Sequence, residues 1–84
     1  MTNVNNSEEI VIYPNPTTNG ELFITNTKIG DTINVFDIKG RKISILYRRY
    51  NELNTTTSVK LGKVAAGLYM LRVNNTSKMI VVND

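Results

Sequence analysis

The spacing of short apolar runs restricts the fold of this chain more than any other feature. Runs rich in β-branched and aromatic residues recur about every ten residues, and turn-forming residues separate them, which is typical of a sandwich or barrel. No stretch shows an apolar period of 3.6 over the length that a helix requires. The pattern therefore predicts an all-β fold.

The same pattern predicts seven strands, at residues 9–13, 21–25, 31–38, 42–50, 55–61, 67–74 and 78–83. Pro14 and Pro16 end the first strand, because each proline fixes φ and lacks a backbone donor. In the third strand the apolar residues change faces, and a bulge near Val35 would reconcile the two halves. The last strand is apolar on both faces, which predicts a covered strand or one that awaits a partner.

The length of 84 residues allows one domain. Residues 1–8 are mostly polar, and we interpret them as a tether before a domain at residues 9–84. This opening has neither the basic region nor the apolar region of a secretory signal peptide. No apolar run approaches the roughly 20 residues that a transmembrane helix needs.

The composition argues against catalysis. The chain has no cysteine and no histidine, which removes thiolate chemistry and the usual zinc ligands. No pair of carboxylates lies in an apolar context, and no serine has a histidine to activate it. Asp37 precedes a glycine in a turn, so we interpret it as a turn former. We predict that the domain is not an enzyme and has no catalytic residue, cofactor or metal.

The positive charge lies in the second half of the chain. Residues 1–40 hold two lysines and five carboxylates, whereas residues 41–84 hold eight cations and two carboxylates. An acidic partner would fit this distribution, but cations scattered over strand faces also serve solubility and edge protection. The Tyr47-Arg48-Arg49-Tyr50 tetrapeptide has the composition of a single-strand binder, yet it is much narrower than a basic stripe. We therefore predict no nucleic-acid partner.

Four segments, in order, resemble the C-terminal sorting domain of the type IX (Por) secretion system. The family's Y-P-N-P block and the strand after it are similar to residues 11–16 and 20–24. Its D-x-x-G-[RK] hairpin is similar to residues 35–43, its L-x(n)-G-x-Y block to Leu61 with residues 66–73, and its final lysine and aliphatic strand to residues 78–82. The resemblance extends over residues 9–84.

This resemblance implies a seven-stranded antiparallel β-sandwich, immunoglobulin-like in outline, at the end of a protein that a signal peptide takes to the periplasm of a Gram-negative bacterium. The expected partners are the outer-membrane translocon, the shuttle and surface sortase components, and a cargo domain upstream in the same chain. The cargo is expected to become secreted or to stay on the cell surface. Cleavage is expected in the polar tether before Ile10, because a protease needs extended, unpaired backbone.

A sorting signal that is read after folding must present a surface. We expect recognition at the first loop, the hairpin turn, the entry to the sixth strand and the final strand, which together contain Pro14, Asn15, Pro16, Asp37, Gly40, Arg41, Gly67, Tyr69, Lys78, Ile80, Val81 and Val82. Structural roles compete at several of these positions. The two glycines fit turns, Tyr69 fits the core, and the prolines shape the first loop.

An alternative function is a small carbohydrate-binding or surface-binding β-sandwich module attached to a secreted enzyme. Such a module needs aromatic rings lying together on an exposed face. Tyr47 and Tyr50 are the plausible pair, but residues three apart lie on opposite faces of a regular strand. A structural adhesion repeat is a third possibility, and the single copy argues against it. The oligomeric state stays open.

Overall fold

The computed structural model describes residues 9–83, so the predicted tether at residues 1–8 lies outside the described part of the chain. The strands are β1 (Ile12–Tyr13), β2 (Glu21–Ile24), β3 (Ile33–Asp37), β4 (Lys42–Ile43), β5 (Ile45–Asn51), β6 (Thr56–Leu61), β7 (Gly67–Val73) and β8 (Thr76–Val82). Residues 9–83 contain no helix, and hence none that could span a membrane.

The strands form two four-stranded sheets. The first sheet has the order β1-β2-β6-β5 and the second has the order β4-β3-β7-β8. All neighbouring strands within a sheet are antiparallel. The predicted all-β antiparallel sandwich is confirmed, with eight strands instead of seven.

The additional strand arises because the predicted strand at residues 42–50 divides at Ser44. Its first part, β4, pairs with β3 in the second sheet, and its second part, β5, pairs with β6 in the first. The Ser44 carbonyl accepts a hydrogen bond from the Gly62 backbone N–H at 3.0 Å where the chain crosses between sheets. Ile43 and Ile45 both pack against the core, so the apolar alternation continues through the crossing and gives no sign of it.

The predicted bulge near Val35 is wrong. β3 keeps an unbroken register with β7 from Ile33 to Asp37. The residue that suggested a change of face, Phe36, lies on the outer face of the sheet, where it is half-buried. An irregularity of register occurs instead in β5, between Ile45 and Tyr47.

A single apolar core fills the space between the sheets. It consists of Leu22, Ile24, Ile33, Val35, Val59, Leu61, Tyr69, Leu71, Val73, Ile80 and Val82. Alternate residues of β7 and β8 contribute to it, because successive side chains of a strand point to opposite faces. Burying an aliphatic side chain of this kind stabilises a fold by about 1.5 to 3 kcal/mol. The core therefore fixes which residues of β7 and β8 remain outside.

Candidate recognition surface

The last strand, β8, lies at the edge of the second sheet, with β7 on one side only. Its other edge is covered by the loop at residues 14–17. The Asn15 side chain donates from Nδ2 to the Met79 carbonyl at 3.1 Å and accepts at Oδ1 from the Val81 N–H at 2.9 Å. Thr17 extends the pairing, since its N–H donates to the Val81 carbonyl at 2.9 Å and its carbonyl accepts from Asn83 N–H at 2.8 Å. We call Asn15 and Thr17 the edge clasp.

The clasp works because a primary amide carries a donor and an acceptor, as a backbone peptide group does. Asn15 therefore takes the place of one residue of a neighbouring strand. The flanking residues, Pro14 and Pro16, have no N–H and are exposed. Thr17 is fully buried, and its hydroxyl donates to the Glu21 carbonyl at 2.9 Å, which anchors the loop to β2.

The hairpin turn at residues 37–41 is organised by Asp37. Its Oδ1 accepts from the N–H groups of Lys39 at 2.9 Å and Arg41 at 2.8 Å, and its Oδ2 accepts from Arg41 Nε at 2.9 Å. The Arg41 N–H contributes most to holding the pKa of the Asp37 carboxyl below its usual value, and the Arg41 guanidinium and the Lys39 N–H act in the same direction. Gly40 has a φ of 85°, which favours glycine. The predicted turn role of Asp37 is confirmed.

These segments meet in one line across the second sheet. Asp37 pairs with Tyr69, Tyr69 pairs with Ile80, and Asn15 bonds the backbone on both sides of Ile80. Arg41 completes the line, because its carbonyl accepts from the Asp37 N–H at 2.9 Å. We call these five residues the cross-strand row. At about 4.8 Å between strands the row is roughly 19 Å long. Its Asn15 bonds the backbone of Val81, 66 positions away in the chain.

The family model of the secretion system C-terminal sorting domain matches residues 11–83. This chain belongs to that family. The cross-strand row thus takes one residue or more from each of the four segments that resemble the family. No curated protein and no solved structure matches the chain significantly.

Membership gives the coarse function of this sorting domain. Domains of this family are C-terminal signals for type IX secretion, and the family is not a catalytic one. It follows that the domain engages the type IX machinery on behalf of a cargo in the same chain. Export to the surface or the surroundings of a Gram-negative cell is implied as well.

The predicted recognition residues fall into an exposed group and a buried group. Around the row, the loop with Asn15 and the turn with Gly40 and Arg41 are exposed. Tyr69 lies in the core at 7% exposure, and its hydroxyl donates to the Ala65 carbonyl, in agreement with the predicted core role. Ile80 is fully buried.

The remaining predicted residues lie along β7 and β8. Val82 is buried, whereas Val81 lies half-buried on the outer face. Lys78 is half-buried, with its Nζ 3.5 Å from Glu9 Oε2. Gly67 begins β7 opposite Val82 and has a φ of 153°. Val81 and Lys78 are therefore accessible from outside the folded domain, whereas Val82 is not.

An apolar surface next to the row was not predicted. Phe36, Met70 and Met79 are paired across β3, β7 and β8 on the outer face. They line a cavity of about 440 Å³ together with Ile38 and the 37–40 turn. The signal for this surface was present in the sequence, because the outward positions of β7 and β8 include methionine and leucine where solvated strands usually have polar residues.

The other candidate patterns from the sequence do not converge on a site. Tyr47 pairs with half-buried Lys60 and Tyr50 with buried Thr57, so the two rings lie on opposite faces of β5, as predicted. Arg48 donates to the Asp31 carbonyl at 2.7 Å. Residues 9–83 contain no cluster of three or more acidic side chains that could hold a metal.

Proposed function

We propose that the type IX machinery reads this sorting domain in its folded state, and that the cross-strand row and the edge clasp form the surface it reads. The observation that carries the proposal is the row itself. Asn15, Asp37, Tyr69 and Ile80 come from separate parts of the sequence and meet only when the second sheet has formed and the loop with Asn15 lies against β8. An unfolded chain does not present this combination.

Within this surface, the groups available to a partner are the exposed loop at residues 14–16, the turn at residues 37–41, and the outer side of β8. Tyr69 and Ile80 act indirectly, because their burial sets the positions of β7 and β8. Peptide recognition by folded domains commonly uses such strand edges and neighbouring pockets.

The later steps are part of the same proposal. The translocon and a shuttle component move the upstream cargo through the outer membrane after transit through the periplasm. A surface sortase then cuts in the polar tether before Ile10, and the cargo is attached to the surface or released. Polar segments beside a folded domain are preferred sites of proteolysis, and the polar composition of residues 1–8 favours this location.

The test is a reporter protein with a signal peptide at its N-terminus and residues 1–84 at its C-terminus. It is expressed in a bacterium that has the type IX system and in a strain that lacks the translocon. We expect surface-exposed or released reporter in the first strain and periplasmic reporter in the second. Equal delivery in both strains would refute the sorting function.

A truncation tests the role of the last strand. Deleting residues 78–84 removes most of β8 and the partners of the edge clasp, so the reporter should stay in the periplasm. Normal surface delivery of this truncation would contradict the assignment of β8 to the recognised surface. The matched control is Arg72→Gln, an exposed change on β7 that leaves the row intact.

A further inference from the structure

The outer face of the first sheet carries a second row of side chains that lies outside the proposed recognition surface. Tyr13 pairs with Phe23, Phe23 with Ser58, and Ser58 with Arg49, so four strands contribute one residue each. The rings of Tyr13 and Phe23 are stacked, with centroids 5.4 Å apart and planes inclined by 27°. This row lies on the opposite side of the molecule from the outer face of β8.

The small side chain of Ser58 creates a recess in this row. Phe23 and Arg49 stand on either side of it, about 10 Å apart at the usual strand spacing. The recess is a cavity of about 300 Å³, which is at the small end of the range for ligand sites. Its walls are otherwise uncharged and polar, from Asn51, Asn54 and Thr56.

The charge of the recess is unbalanced. Of the residues that line the recess, Arg49 is charged and the others are neutral. Within residues 9–83 its guanidinium binds no acceptor, whereas Arg41 is bonded to Asp37 and Arg48 to the Asp31 carbonyl. A guanidinium presents donors in a planar fork that matches a carboxylate.

Glu21, an acidic side chain on this face, does not balance Arg49. Glu21 lies one row further along the sheet and does not line the recess. Its Oε2 accepts instead from the Tyr47 hydroxyl at 3.4 Å. The recess therefore combines an aromatic wall, a free cation and amide groups.

We propose that this recess binds an acidic saccharide. A pyranose ring fits over Ser58 with its apolar face against the Phe23 and Tyr13 rings, and its carboxylate accepts two hydrogen bonds from Arg49. Asn51 uses its Oδ1 to accept from the Leu53 N–H at 2.9 Å, so its amide N–H groups remain for sugar hydroxyls. The site lies apart from the cross-strand row, and its presence does not depend on the proposed sorting mechanism.

A purely structural role for the aromatic pair makes a different prediction. Aromatic residues paired across neighbouring strands stabilise a sheet without any ligand. That role needs neither Arg49 nor a bound carboxylate. Changes at Arg49 therefore separate the two explanations without disturbing the core.

The experiment is an NMR titration of the 15N-labelled 84-residue chain with tetragalacturonate and with tetramannuronate. Fully methyl-esterified tetragalacturonate is the uncharged control. We expect amide shift changes at Tyr13, Phe23, Arg49 and Ser58 on binding of an acidic tetramer. Arg49→Gln and methyl esterification should each weaken binding at least tenfold, and Tyr13→Ala should weaken it severalfold.

The matched control is Arg72→Gln, which removes an exposed arginine from the outer face of the other sheet and should leave affinity unchanged. The proposal is overturned by an absence of shift changes at the recess with both acidic tetramers. Equal binding of the acid and the ester overturns it as well. So does an equal loss of affinity in Arg49→Gln and Arg72→Gln, because binding would then depend on net charge alone.

Discussion

The two sheets end in edge strands of the same length that are protected in different ways. β5 and β8 each have seven residues. β5 carries Arg48 and Arg49 and an irregular register, both of which discourage pairing with another chain. β8 is largely apolar, and its protection comes from the edge clasp.

The two kinds of protection differ in how permanent they are. Charges protect an edge permanently, because they belong to the strand itself. The edge clasp consists of the Asn15 side chain and the Thr17 backbone, and it covers the edge of β8 with neutral groups. An edge built in this way fits the proposal that a partner reaches β8, whereas the arginines of β5 discourage pairing of that edge with another chain.

The largest expected effect is on stability, and it appears when a buried residue of β8 and an exposed residue of β5 receive the same substitution. Ile80→Asp places an unpaired charge in the core, and we expect a loss of more than about 4 kcal/mol in the free energy of unfolding. A domain of this size has only about 5 to 10 kcal/mol, so this change should remove a large part of its stability. Leu46→Asp, at a position 65% exposed in β5, should change stability by less than about 0.5 kcal/mol.

Circular dichroism with urea titration measures both variants. Equal stability of the two would mean that β8 is not packed as described.

The second prediction removes the clasp. Asn15→Ala deletes the hydrogen bonds to Met79 and Val81. The free energy of unfolding should fall by about 1 to 2 kcal/mol, since water replaces part of the pairing. The exposed edge should also increase self-association, seen by analytical ultracentrifugation. Hydrogen exchange of the Val81 amide should become faster.

Asn15→Asp sharpens this test, because a carboxylate keeps the acceptor for Val81 but cannot donate to Met79. We expect the free energy of unfolding to fall by about as much as in Asn15→Ala. Unchanged Val81 exchange in both variants would show that the clasp does not protect β8.

The third prediction concerns the other edge. Replacing Arg48 and Arg49 together by threonine removes the charges that protect β5 and raises its β-propensity. Stability should fall by no more than about 1 kcal/mol, because the bond from Arg48 to the Asp31 carbonyl is exposed. Self-association should nevertheless increase with concentration. A monomer at all concentrations would indicate that the register irregularity alone protects this edge.

The smallest expected effect is on acid stability. The pKa values of Asp37 and Asp31 are both lowered, chiefly by the backbone N–H of Arg41 and of Lys28 respectively. A carboxyl with a lowered folded-state pKa contributes stability above its unfolded value, near 4, and this contribution is lost as the pH falls through the folded value.

Unfolding midpoints measured from pH 5 down to pH 2.5 should therefore fall less steeply in Asp37→Asn and Asp31→Asn than in the unchanged chain. Slopes identical to that of the unchanged chain would mean that neither carboxylate is stabilised by its turn.

Much of this fold follows from local sequence, because apolar alternation and turn residues act over short distances. The turn at Asp37 and the core position of Tyr69 were predictable in this way. The crossing at Ser44 was not, since Ile43 and Ile45 both face the core and the alternation is uninterrupted. The prediction of a bulge near Val35 is wrong because Phe36 is apolar yet faces outward, so apolar alternation assigns it to the wrong face.

The edge clasp could not be predicted from the sequence, for a different reason. Its hydrogen bonds join Asn15 to Met79 and Val81, up to 66 residues away, through a side-chain amide. Such a contact leaves no periodicity in the sequence. The proline-rich loop and the last strand were each expected to matter, but nothing in the chain indicated that they touch.

The most direct test of folded-state recognition is the surface delivery of a reporter carrying Leu71→Asp. Leu71 is fully buried and is not among the residues proposed for recognition, so this change destroys the fold and leaves every recognition residue in the sequence. We expect full-length reporter to be retained in the periplasm, with Arg72→Gln delivered normally. Normal surface delivery of Leu71→Asp would contradict it, because the signal would then be read as a linear sequence.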